Sequence, residues 1–137
     1  MRKLLQIIVV AAILLVAGCK KNKDNNLPSS TGVYIINQGN FNFGNAEISV
    51  YNPSTHEITN GLFNNANHYA LGDVAQSMYI KDSLGYVVVN NSQKIEVVSL
   101  PSFHKVRTIA IPNSSPRYFM PVSDSIAFVT ELYANKI

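Results

Sequence analysis

The sequence predicts an all-β protein, built from four-stranded repeats with the spacing of β-propeller blades. Three observations carry this reading. Short runs dominated by valine, isoleucine and tyrosine alternate with gaps filled by Asn, Pro, Gly, Ser and Asp, the pattern of strands separated by turns. Segments of the chain resemble one another at shifts of 42 and 48 residues, and at 53 across an insertion, a period of roughly 40–50 residues being that of propeller blades. After Cys19 no window keeps apolar residues at helical spacing, apart from a short stretch, Tyr69 to Met78, that contains Gly72.

The chain opens on a leader. Arg2-Lys3 is a positive start, and Leu4 to Ala17 is a 14-residue apolar stretch interrupted only by Gln6. As a helix it would cover about 21 Å, short of the roughly 30 Å hydrocarbon core. A signal peptide over residues 1–18 is therefore expected rather than a membrane span. Val16-Ala17-Gly18-Cys19 resembles the bacterial lipobox, which implies thioether lipidation of Cys19, cleavage after Gly18 and acylation of the new amino terminus. A thiol is needed there because thiolate is the nucleophile. Several acyl chains, each buried methylene adding about 0.8 kcal/mol, would hold the protein on membrane lipid. Cys19 is the only cysteine, so no disulfide forms within the chain. Residues 19–31, the lipidated Cys and a polar stretch containing Pro28, read as a flexible tether.

The expected β domain spans 32–137. Its strands are Gly32–Asn37, Glu47–Tyr51, Ser77–Ile80, Gly85–Asn90, Lys94–Leu100, Val106–Ile111 and Ser125–Thr130. A shift of 42 sets Met78 on Met120, Asp82-Ser83 on Asp124-Ser125, Val87 on Val129 and Lys94-Ile95 on Lys136-Ile137. A shift of 48 sets Pro53 to Ile58 on Pro101 to Val106, and one of 53 sets Gly32–Asn37 on Gly85–Asn90. The extra residues form an insertion in the first hairpin, around Gln38–Asn45. The chain then holds about two and a half blades, fewer than a closed propeller needs, and is expected to be an N-terminal fragment of a longer protein. A β-sandwich is the alternative fold.

Charge narrows the partners. The chain has 11 Lys+Arg against 8 Asp+Glu, but five of the cations precede the first acid. From Leu27 onward six bases meet seven acids, a net of −1. The domain lacks the basic excess that nucleic acid demands. Apolar residues are similarly skewed, 15 of the first 19 against 49 of the remaining 118. Those 118 include 16 Asn and no Trp, as in a polar-surfaced exported domain rather than a membrane-embedded one.

Catalytic motifs are missing. The sequence has no Gly-x-Ser-x-Gly elbow, no His-Glu-x-x-His and no cysteine pair for zinc. Gly39 to Gly44 has phosphate-loop glycine spacing, but Asn45-Ala46 stands where Lys-Ser/Thr is required. His56 and His104 fall at matching turn positions, and His68 lies among asparagines, weak neutral ligands for calcium. No metal, cofactor or enzymatic activity is expected.

Two groups of residues are candidates for ligand binding. In the inserted hairpin, Asn40, Phe41, Asn42 and Phe43 combine amide donors and acceptors with flat stacking faces, suited to a neutral polar ligand such as a glycan or a corrinoid side chain. The alternative is that the two rings fold back onto the sheet. Asp73 and Gln76 in one repeat, with Arg117 and Tyr118 in the next, sit where a blade's first strand begins to line a propeller channel. They could instead cap the turns, with Arg117 pairing Asp73. Asp82-Ser83-Leu84 and Asp124-Ser125-Ile126 resemble a bacterial O-glycosylation acceptor at Ser83 and Ser125; Asp-Ser is also a common turn pair.

Tyr34–Pro53, Leu71–Ile80, Tyr86–Leu100 and Ser115–Met120 together resemble the YncE-like propeller lipoproteins of Gram-negative bacteria, which include BtuG-type surface proteins that bind cobalamin. The resemblance runs from Gly32 to the end. It implies a seven-bladed, non-enzymatic propeller, lipid-anchored to the outer membrane on its periplasmic or surface face. Such a protein captures a small-molecule or glycan ligand and can sit over an outer-membrane transporter. A protein-binding scaffold of the cell envelope is the alternative function. A lyase or quinoprotein-like propeller is a weaker one.

Overall fold

The computed structural model describes residues 32–134. The leader, Cys19, the tether and the Lys136-Ile137 match lie outside the described residues. Among these residues the chain is all-β with one short helix: β1 (Val33–Asn37), β2 (Glu47–Asn52), β3 (Glu57–Thr59), α1 (Leu62–Asn67), β4 (Ala75–Lys81), β5 (Leu84–Val89), β6 (Lys94–Ser99), β7 (Lys105–Ala110), β8 (Pro116–Pro121) and β9 (Ala127–Glu131). They form three antiparallel sheets, β1-β2-β3, β4-β5-β6-β7 and β8-β9, each with its strands in sequence order.

Turn chemistry sets this order. Lys81 pairs with Leu84 across a two-residue turn, and Asp82 takes the left-handed conformation (φ 55°) that Asp tolerates. The β2–β3 and β6–β7 turns close alike. His56 N–H donates to Asn52 O at 2.9 Å, and Phe103 N–H donates to Ser99 O at 2.7 Å. Both residues are left-handed, at φ 58° and 59°.

That match corrects the sequence alignment. His56 is the structural counterpart of Phe103, a shift of 47 rather than 48, so His56 and His104 are not equivalent. Pairing across the sheets agrees: Tyr34↔Val50 in the first corresponds to Tyr86↔Val97 in the second, which sets β1 on β5 at 52 rather than 53. In the third sheet Phe119 pairs with Val129 where Met78 pairs with Val87. Met78 therefore corresponds to Phe119, not Met120. The longer turn between Pro121 and Ala127 absorbs the extra residue.

The middle sheet is covered on both faces. Val87, Val88, Val89, Ile95, Val97 and Val98 are all buried, and near-continuous apolar runs are what such coverage requires. On one face, Val87, Val89 and Val98 join Ile48 and Val50 of β2, Leu62 and Phe63 of α1, Leu71 and Phe103 in a single core. Tyr34 meets Phe103 edge-on there at 5.2 Å, and burial pushes its phenol above the ordinary pKa. On the other face Tyr86 stacks on Phe119 of β8, with centroids 4.6 Å apart. The third sheet is further tied by Ser77 Oγ donating to Arg117 O at 2.6 Å and by Asn90 Nδ2 donating to Pro116 O at 2.8 Å.

One charged group enters the interior. Glu96 is 1% exposed and is satisfied by Lys94 Nζ at 2.6 Å and Thr108 Oγ1 at 2.7 Å. A buried carboxylate persists only with such partners. Ser49, its counterpart in β2, is also buried and bonds Asn37 and Asn60.

The helix lies outside the stretch with helical spacing. Leu62–Asn67 forms α1 between left-handed Gly61 and His68, burying Leu62 and Phe63. Within Tyr69–Met78, Gly72 (φ 135°) and Val74 (φ 61°) stop any helix, and a strand begins at Ala75.

Candidate functional site

The β1–β2 connection is a loop fixed from within and from below. Gly39 lies at φ 75°, and a Cβ there would sit 2.6 Å from Asn45 Oδ1, so only glycine fits. Asn45 Oδ1 accepts the Asn40 N–H at 2.8 Å, and Phe43 N–H closes a turn on Asn40 O at 3.1 Å. Asn42, left-handed at φ 67°, donates its N–H to Asp73 Oδ2 at 2.8 Å.

Asp73 is the hub beneath the loop. Its Oδ2 also accepts from Asn91 Nδ2 at 2.5 Å, and Asn91 Nδ2 reaches Asn42 Oδ1 at 3.1 Å. Asp73 N–H donates to Ser92 Oγ at 2.9 Å, and its carbonyl accepts from Asn91 N–H at 3.1 Å. Asp73 Oδ1 is buried without a hydrogen-bond partner among the described residues. One residue earlier, Gly72 O accepts the Ala46 N–H at 3.1 Å. The loop of the first sheet is thus latched to the corner that starts the second.

On this base the two rings point outward. Phe41 is 64% exposed and Phe43 74%, so they do not fold back onto the sheet. The segment from Asn37 to Asn45 carries no charge. It presents two aromatic faces among amides, chemistry for stacking and neutral hydrogen bonding.

The structure brings Asn40, Phe41, Asn42, Phe43 and Asp73 together, but not the other candidates. Gln76 lies at a bulge of β4 between Ala75 and Ser77; Arg117 and Tyr118 lie at the corresponding bulge of β8. Tyr118 is 56% exposed, and its N–H donates to Thr130 Oγ1 at 3.1 Å. No hydrogen bond joins these three to the loop among the described residues. The ion pairs there are Lys81–Asp124 and Lys94–Glu96, so Arg117 does not pair with Asp73. The carboxylate's partners are amides instead. Sequence reasoning missed Asn91 and Ser92, whose signal was the Asn-Asn-Ser-Gln turn after β5.

The remaining candidates are turn residues. Ser83 and Ser125 are exposed in the β4–β5 and β8–β9 turns. Lys81 Nζ donates to Asp124 Oδ1 at 2.7 Å, which raises the lysine's pKa and lowers the aspartate's. His56 Nδ1 lies 2.8 Å from Tyr51 Oη. No three His, Cys, Asp or Glu side chains gather to hold a metal, and no helix is long and apolar enough to cross a membrane, among the described residues. No protein-family model matches the chain, and no curated protein matches it.

Proposed function

We propose that the chain is a β-propeller-type lipoprotein of the YncE-like kind, which captures a neutral polar ligand at the cell envelope without chemistry. Cys19 carries the lipid that holds it on the outer membrane. Three sheets of consecutive antiparallel strands, the middle one packed on both faces, support the propeller reading. The correspondence of β1-β2-β3 with β5-β6-β7 supports it too.

One observation carries the binding role: a loop locked by Asp73, Asn91 and Asn45 that leaves Phe41 and Phe43 exposed. Exposing two rings without a partner costs solubility, and fixing their backbone beforehand lowers the entropy lost on binding. A glycan or a corrinoid side chain fits this chemistry. A second reading, an envelope scaffold that can sit beside an outer-membrane transporter, draws on the exposed Tyr118, Met120 and Phe128 of the third sheet.

The test is the double variant Phe41→Ala/Phe43→Ala in the full-length protein, titrated calorimetrically with cyanocobalamin and with a neutral oligosaccharide such as maltohexaose. Each ring's stacking is worth about 0.5–1.5 kcal/mol beyond its buried area. The pair should therefore weaken binding of one probe about tenfold or more, with an unchanged melting temperature. Unchanged affinity, or a large fall in melting temperature, removes the loop from this role.

A further inference from the structure

The turn from β3 into α1 carries a pair of residues that the ligand loop does not use. Of the sixteen asparagines in the chain, Asn60 alone is followed by glycine. An asparagine side chain is open to attack by the main-chain nitrogen of the next residue, and a side chain on that residue is what hinders the approach. Gly61 has none. Asn60 is exposed, so water can enter and a departing amine can escape.

Hydrogen bonds fix this dipeptide unevenly. Asn60 Oδ1 accepts from Ser49 Oγ at 2.8 Å, and Ser49 Oγ itself accepts from Asn37 Nδ2 at 2.8 Å. Because its oxygen already receives the Asn37 amide, Ser49 has its own proton to give to Asn60. Ser49 is 3% exposed, and linked donors in such a water-poor place polarise one another. The main-chain carbonyls are tied as well. Asn60 O accepts from Asn65 Nδ2 at 3.1 Å, and Gly61 O accepts from Asn65 N–H at 2.8 Å. The Gly61 N–H and Asn60 Nδ2 make no hydrogen bond among the described residues. Nucleophile and leaving group are thus unengaged, while the carbonyl between them is held and polarised.

We propose that Asn60 is a deamidation site whose conversion Ser49 assists, with water as the co-reactant. The Gly61 nitrogen gives its proton to solvent and forms a bond to Asn60 Cγ. The negative charge that develops on Oδ1 falls where Ser49 Oγ–H already donates, which stabilises it as an oxyanion-hole donor does. The Cγ–Nδ2 bond then breaks, Nδ2 takes a proton from solvent, and ammonia leaves behind a five-membered succinimide. Water adds to one of the two ring carbonyls. Opening on one side gives aspartate; opening on the other gives isoaspartate, which routes the main chain through the β-carbon. No electrons are gained or lost. Either product places a carboxylate just before α1, which buries Leu62 and Phe63.

The test incubates the full-length protein at mildly alkaline pH and follows every asparagine by peptide mapping, with ammonia release and isoaspartate as further readouts. Asn60 is expected to convert first. It should also convert faster than in a synthetic peptide with the sequence of Glu57–Phe63, which lacks Ser49. Ser49→Ala in the protein should slow the conversion about two- to tenfold, the factor that one net hydrogen bond is worth. Ser49→Thr, which keeps the hydroxyl, should retain the parent rate. Slower conversion in the protein than in the peptide overturns the proposal, as does earlier conversion of another asparagine. So does a Ser49→Ala rate equal to or above the parent's, or a Ser49→Thr rate as low as that of Ser49→Ala. The peptide comparison needs no protein variant.

Discussion

The two faces of the middle sheet are packed with different materials. Toward β1-β2-β3 lies a closed core in which Ile48, Phe63, Leu71, Val87, Val89 and Val98 are fully excluded from water and α1 seals one end. Toward β8-β9 the contact is Phe119 stacked on Tyr86 and set edge-on to Tyr79, the buried Pro116, two side chain-to-backbone hydrogen bonds and an exposed ion pair. β9 remains exposed along most of its length. Burial of apolar area dominates folding free energy, so the first two sheets form the stable body and the third docks on it. The lesson is that similar sequence repeats need not contribute equally to stability.

Phe103→Ala tests the strong side. It empties a site against Tyr34 and the core and should cost about 3–5 kcal/mol, read from the denaturant midpoint. Phe119→Ala tests the weak side. Its half-exposed ring gives up a stack worth about 0.5–1.5 kcal/mol and part of its area, so a loss near 1–2 kcal/mol is expected. Equal losses would erase the distinction between the two faces. Asp124→Asn should have the smallest effect. The folded pKa of Asp124 is depressed by Lys81, so its contribution is present above the carboxylate's reference value of 3.8 and fades as pH falls through the lowered value. Lys81 mirrors it, fading as pH rises through a value above 10.5. Both groups are exposed, and solvent screens the pair. The variant should lie slightly below the parent at neutral pH, by the little that the screened pair contributes, and the two should converge as pH falls through the lowered carboxylate value, read from a series of denaturation curves.

Much of this was legible in the sequence. All seven expected strands form, because valine- and isoleucine-rich runs bounded by Asn, Asp and Gly leave little choice. β3 and β8 escaped, the first because its three residues are all exposed and show no alternation, the second because prolines stand at both its ends. α1 escaped because it is six residues long, half of them asparagine, and is formed by burying Leu62 and Phe63 rather than by propensity. The alignment slipped by one where it followed the identities of Pro53 with Pro101 and His56 with His104. The backbone instead matches left-handed residues, and Phe103 at such a position is invisible to residue matching. Within the site, the amides and rings of the first hairpin could be read directly. The latch through Asp73 and Asn91 could not, because it joins residues 31 and 49 positions away from Asn42.

The corner at residues 72–75 has a consequence for how the second sheet begins. Gly72 at φ 135° leaves no room for a side chain, since an added Cβ would lie 2.7 Å from Ser92 Oγ. Val74 holds a left-handed φ of 61° that a β-branched residue adopts only under constraint. β4 then opens on a bulge. These fixed dihedrals make the corner a rigid joint rather than a hinge. The direction in which β4 leaves this corner is set by the main chain, so repacking the side chains on either side of it would leave the start of the second sheet in place.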